Sequence, residues 1–97
     1  MPLFMIRRSF PGATETDLDA AAFRALACAP FYEGLLWVRS FWDRGKEETL
    51  CFYEARSVED IRLHADRAQI PCDEICAVEE VLPSQFEETG KPLAAVS

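Results

Sequence analysis

The stretch LLWVRSFWDRGKEETLCFYEA, Leu35 to Ala55, decides the fold. Its first part, Leu35 to Trp42, is dense in aromatic and aliphatic residues and reads as a strand with apolar groups on both parities. Asp43-Arg44-Gly45-Lys46 is a hairpin turn, and Thr49 to Ala55 supplies the antiparallel partner. Upstream, Leu3 to Arg8 is a short β-compatible run closed by Phe10-Pro11-Gly12. Thr14 with Asp17 three residues on marks a capping box, after which Leu18, Ala22, Leu26 and Ala29 recur at helical spacing up to Pro30. Downstream, Ser57 and Asp60 open a second helix with the stripe Val58, Ile61, Ala65 and Ala68, ending before Pro71. Asp73 to Leu82 is the last strand, stopped by Pro83. The order is β-α-β-β-α-β, an α+β ferredoxin-like arrangement: a four-stranded antiparallel sheet with both helices on one face. Residues 1–82 form this domain and 83–97 a C-terminal tail.

Covering one sheet face leaves the other bare, and a bare face alternates to polar residues in a monomer. Here it does not. Leu36, Val38 and Trp42 lie on one parity of strand two and Leu35, Trp37 and Phe41 on the other. Strand three sets Leu50 and Phe52 against Cys51, Tyr53 and Ala55; strand one sets Phe4 and Ile6 against Leu3 and Met5. With 49% apolar residues in 97, the surplus exceeds what a small single-chain core hides. A two-fold homodimer with facing sheets, a dimeric α/β-barrel type of assembly, absorbs it.

Ten basic against 17 acidic residues give a net charge of −7, which disfavours nucleic acid as a partner. No run approaches the roughly 18 apolar residues of a membrane span. The N-terminus places its apolar residues before its charges, the reverse of a signal peptide. Cys28, Cys51, Cys72 and Cys76 are therefore expected as free thiols in a reducing cytoplasm.

Few side chains promise chemistry. His64, the only histidine, sits at the margin of the second helix's stripe and needs ligands from Cys, Asp, Glu or another chain to hold a metal. Cys72 and Cys76 lie roughly 13 Å apart on an extended strand, too far for shared chelation. Arg7 and Arg8 point to opposite faces, so one of them at most enters a given cavity. Arg39 and Glu54 interrupt apolar strands; they either pair with one another or line a polar pocket for a small anion. No Gly-rich phosphate cradle and no Ser, His and acid constellation is recognisable.

Phe4-Met5, Phe10-Pro11-Gly12, Trp37-Val38-Arg39-Ser40, Cys51-Phe52-Tyr53-Glu54-Ala55, His64-Ala65 and Ile70-Pro71 together resemble a family of small bacterial proteins that includes a nickel-binding ferredoxin-like dimer. The resemblance spans about residues 3 to 82. It implies a ferredoxin-like homodimer, with nickel or another divalent metal as the ligand of some members. Cys51 matches the family's strand-three Cys and His64 its helix-two His. The nickel-binding type is richer in His around strand one and helix one, where this chain has Arg7, Arg8, Phe23 and Arg24.

The expectation is thus a non-enzymatic homodimer that holds a metal through Cys51, His64 and an acidic side chain. An alternative is a dimeric α/β-barrel enzyme or small-molecule carrier, with Arg39, Tyr53, Glu54 and His64 lining a cavity between sheet and helices. A third is a structural dimer without ligand.

Overall fold

Alternation with period two builds the centre of the sheet. In β1 (Leu3–Ser9), Phe4, Ile6 and Arg8 turn inward and are buried, while Leu3, Met5 and Arg7 turn to the opposite face. In β3 (Glu48–Glu54), Thr49, Cys51 and Tyr53 turn inward while Leu50 and Phe52 turn outward. These strands pair antiparallel, Ile6 opposite Cys51 and Phe4 opposite Tyr53. β2 (Leu36–Asp43) and β4 (Glu74–Val78) flank them, giving the order β2-β3-β1-β4 with every neighbour antiparallel. With α1 (Glu15–Cys28) and α2 (Val58–Ala68) the chain has the ferredoxin-like β-α-β-β-α-β order in a computed structural model that describes residues 1–87.

The helices begin where the side chains can satisfy their first amides. Thr14 Oγ1 accepts from the Asp17 amide at 3.2 Å and the Asp17 carboxylate accepts from the Thr14 amide at 2.9 Å, a complete capping box. Ser57 Oγ accepts from the Asp60 amide at 3.2 Å, whereas the Asp60 carboxylate turns to Arg56 Nε at 2.8 Å. Arg24 of α1 donates to the carbonyls of Ala68 and Gln69 at the end of α2, placing a cation at a helix C-terminus.

Four local expectations change. A β-bulge between Trp37 and Arg39 breaks the simple parity of β2: Trp37, Ser40 and Trp42 pair with the inward residues Tyr53, Cys51 and Thr49, and Phe41 lies opposite outward Leu50. The stripe of α1 is Ala21 and Ala25 rather than Leu18, Ala22 and Leu26, with Leu26 exposed. In α2, His64 is buried in full and Val58 is exposed. β4 ends at Val78 because Val78 already pairs with Leu3, the first residue of β1, so Glu79 to Leu82 have no strand left to bond. Of the tail, Pro83–Glu87 is a short helix, α3; residues 88–97 lie outside those described.

The core gathers Phe4, Ile6, Cys51, Tyr53, Ala55 and Ile61, with Trp37, Cys72 and Ile75 packed against it. α2 ends on Gln69 in the left-handed region, φ 56° and ψ 49°, its amide bonded to the carbonyls of Ala65 and Asp66. A Cβ is strained there, and glycine removes the strain at the cost of a freer unfolded chain. Gln69→Gly is expected to raise the unfolding free energy by about 0.5–1 kcal/mol in urea titration; a lower midpoint would contradict the αL cap.

Candidate functional site

The fully buried residues of α1 are both alanines, Ala21 and Ala25, and small side chains leave space. Ala21, Ala22 and Ala25 stand over β1, β3 and β2, and between them and the sheet lies a cavity of about 220 Å³. Trp37 and Trp42 of the bulged β2 form one wall; Cys51 and Tyr53 of β3 and Arg8 of β1 form the inner end; Leu18, Asp19 and Phe10 contribute from the loop and α1 side. The Trp37 and Tyr53 rings lie nearly parallel, 6° apart with centroids separated by 6.2 Å. Trp37 Nε1 donates to Ser40 Oγ at 2.8 Å.

Arg8 gives this cavity its chemical character. It is 2% exposed, the one buried cation among the described residues. One guanidinium nitrogen donates to the Pro71 carbonyl at 2.5 Å, and the group stands 5.7 Å from the Tyr53 ring centroid. The other terminal nitrogen, Nη2, is buried with no hydrogen-bond partner, and no carboxylate pairs with Arg8 among the described residues. A buried charge without a counter-ion is costly. Burial pushes the Tyr53 phenol up to about 12, against the pull of Arg8, so the phenol stays neutral beside the guanidinium.

Of the residues singled out from sequence, Tyr53 and Cys51 line the cavity, His64 does not, and neither do Arg39 and Glu54. Both belong to the open sheet face, since Arg39 pairs with outward Phe52 and Glu54 alternates with inward Tyr53. Arg39 lies 3.9 Å from Glu80 rather than against Glu54. Cys72 packs on the core while Cys76 sits on the open face beside Glu74. Arg8 was the residue to find: Phe4, Ile6, Arg8 continues an inward alternation, and only its charge argued for the surface.

His64 is 1% exposed and links the two helices, its Nε2 lying 2.9 Å from the Ala25 carbonyl. A carbonyl only accepts, so Nε2 carries the proton. Tyr32 meets the imidazole edge-on at 5.9 Å and Tyr53 lies at 5.5 Å. Burial lowers the His64 pKa, opposed by the bond to Ala25 and aided by the positive charge of Arg8. Cys51 Sγ lies 3.4 Å from Thr49 Oγ1.

The family model described as nickel responsive protein SCO4226-like matches residues 4–78. The crystal structure of SCO4226 from Streptomyces coelicolor A3(2) is similar, with TM-score 0.73 and 26% identity over 82% of this chain and 99% of that one. No curated protein matches the chain. Nickel directs attention to Cys51 and His64, whose surroundings can be compared with what the ion requires. Among the described residues no group of three or more His, Cys, Asp or Glu converges. The donor set within one copy does not fit a nickel centre.

Because His64 folds in its neutral form with a pKa below 6.5, its contribution is fully present above pH 6.5 and is lost as pH falls through the native pKa: the unfolded chain takes the proton first. Urea midpoints are expected to fall from pH 7.5 to 5.5, with a smaller fall in His64→Gln. An equal fall in both proteins would show that other groups carry the pH dependence.

Proposed function

The chain belongs to the family of SCO4226-like nickel-responsive proteins, and we propose that it works as a self-associating small-ligand-binding protein. Its copies pack through the open sheet face, and the cavity under α1 is the ligand chamber. The observation that carries this reading is the chamber itself, apolar and aromatic over most of its wall with a few polar groups at its inner end, the construction of small-molecule sites. This reading does not place the family's nickel at Cys51 and His64, because no third donor joins them within one copy among the described residues.

The open face supports the self-association. Leu36 is 54% and Phe41 57% exposed; Val38, Leu50 and Phe52 share their face, with Phe41 edge-on to Phe52 at 6.1 Å. The segment from Glu79 to Leu82 borders the same surface, leaving a groove of about 470 Å³ with Val81 and Leu82 exposed. A contiguous apolar surface of this kind is characteristic of an interface.

Light scattering is expected to give the mass of two chains for the wild type and of one for Phe41→Glu, which buries a charge in the contact; a wild-type monomer at tens of micromolar overturns the dimer. For the chamber, mass spectrometry of an extract from natively purified protein is expected to find a stoichiometric organic molecule that Ala22→Phe, filling the space, no longer retains. Calorimetric titration with Ni²⁺ is the counter-test. Stoichiometric binding by the wild type that both Cys51→Ser and His64→Gln abolish would place nickel at those residues and displace the organic-ligand reading.

A further inference from the structure

We propose that the chamber selects a small, singly charged organic anion, a monocyclic aromatic carboxylate, and that Arg8 Nη2 is its counter-ion. This rests on the chamber being a ligand site and adds the chemical class of what enters it.

Two observations bear on the cavity and on Arg8, one of the residues that line it. The first is the space: about 220 Å³, below the few hundred cubic ångströms of sites for drug-sized molecules and suited to one ring with a short substituent. The second is the unmet donor. Arg8 is 2% exposed, lines the cavity, spends one terminal nitrogen on the Pro71 carbonyl and leaves Nη2 buried without a partner. A buried N–H on a charged group is the costliest kind to leave unmade. A carboxylate oxygen satisfies it with a charge-assisted bond and cancels the charge in the same contact.

Charge arithmetic narrows the class. One guanidinium balances one negative charge, whereas a phosphate dianion would bring a second, uncompensated charge into an apolar space. Asp19, the carboxylate that lines the cavity and is itself exposed, repels any anion there and a doubly charged one about twice as strongly as a singly charged one. Ser40 Oγ accepts the Trp37 Nε1–H and keeps its own hydrogen to donate. The walls fit a flat body: Trp37 and Trp42 on β2 and Tyr53 on β3 present ring surfaces, on which an aromatic ring packs with offset or edge contacts.

The two tryptophans also report the event. Benzoate, benzyl alcohol and phenyl phosphate share a ring and differ in head-group charge, and each is titrated into the full-length protein by Trp fluorescence and thermal shift. Benzoate is expected to bind about tenfold or more tightly than benzyl alcohol, the usual worth of a hydrogen bond to a charged group, and phenyl phosphate more weakly than benzoate at pH 7.5. In Arg8→Gln the benzoate advantage is expected to vanish while benzyl alcohol still binds; the comparison of probes in the wild type needs no variant to fold. Equal affinity for benzoate and benzyl alcohol overturns the anion assignment and leaves the chamber standing. Tighter phenyl phosphate overturns the single-charge argument. Binding of none of the three, with no stoichiometric molecule in the native extract, overturns the chamber itself.

Discussion

β1 is hydrogen-bonded on both sides, to β3 and β4, so its register cannot shift without inverting every side chain it carries. Phe4 and Ile6 must face the helices to make the core, and that requirement carries Arg8 inward with them. The rest of the interior accommodates this charge. The loop before β4 turns the Pro71 carbonyl toward it, the Tyr53 ring lies beside it, and His64 across the layer is held neutral. A charge imposed by strand register and left one bond short is the feature from which the chemistry of the cavity follows.

The second determinant is the poverty of α1. Its buried positions are Ala21 and Ala25, and its large residues Phe23 and Leu26 face outward. A helix that packs through methyl groups approaches a sheet closely where it touches and leaves a hollow where its neighbours across the layer are not large enough to meet it. His64 spans part of that distance by bonding the Ala25 carbonyl, which fixes the two helices relative to each other. Cys51 and His64 thus stabilise the layer in which sequence placed a metal.

The topology was legible because each element carries its own signal: the capping pair Thr14 and Asp17, the hairpin turn at Asp43 to Lys46, the cap at Ser57, and the alternations of β1 and β3. What eluded sequence depends on partners rather than on local pattern. The bulge at Trp37 to Arg39 reverses the parity of β2 halfway along, and no local residue announces it, so Trp42 changes face unseen. The end of β4 is set by where β1 begins. Arg39 and Glu54 looked like a pair because both interrupt apolar strands, yet Arg39 finds Glu80 from beyond β4. Of Arg7 and Arg8, which sequence placed on opposite faces, only the structure shows that Arg8 is the one turned inward.

The same bulge bears on the proposed self-association. β2 and β4 are the borders of the sheet, and an unpaired border is a template on which further strands can add without limit. On β2 the extra residue interrupts the row of backbone donors and acceptors and twists the strand; β4 offers only five residues, beginning with Glu74, which is held by Arg7. Strand-by-strand growth is discouraged at both borders while the flat apolar face stays available. In the proposed self-association, contact through a face would use up the surface that makes it, so association would close at a finite number of copies where border pairing would propagate into a fibre.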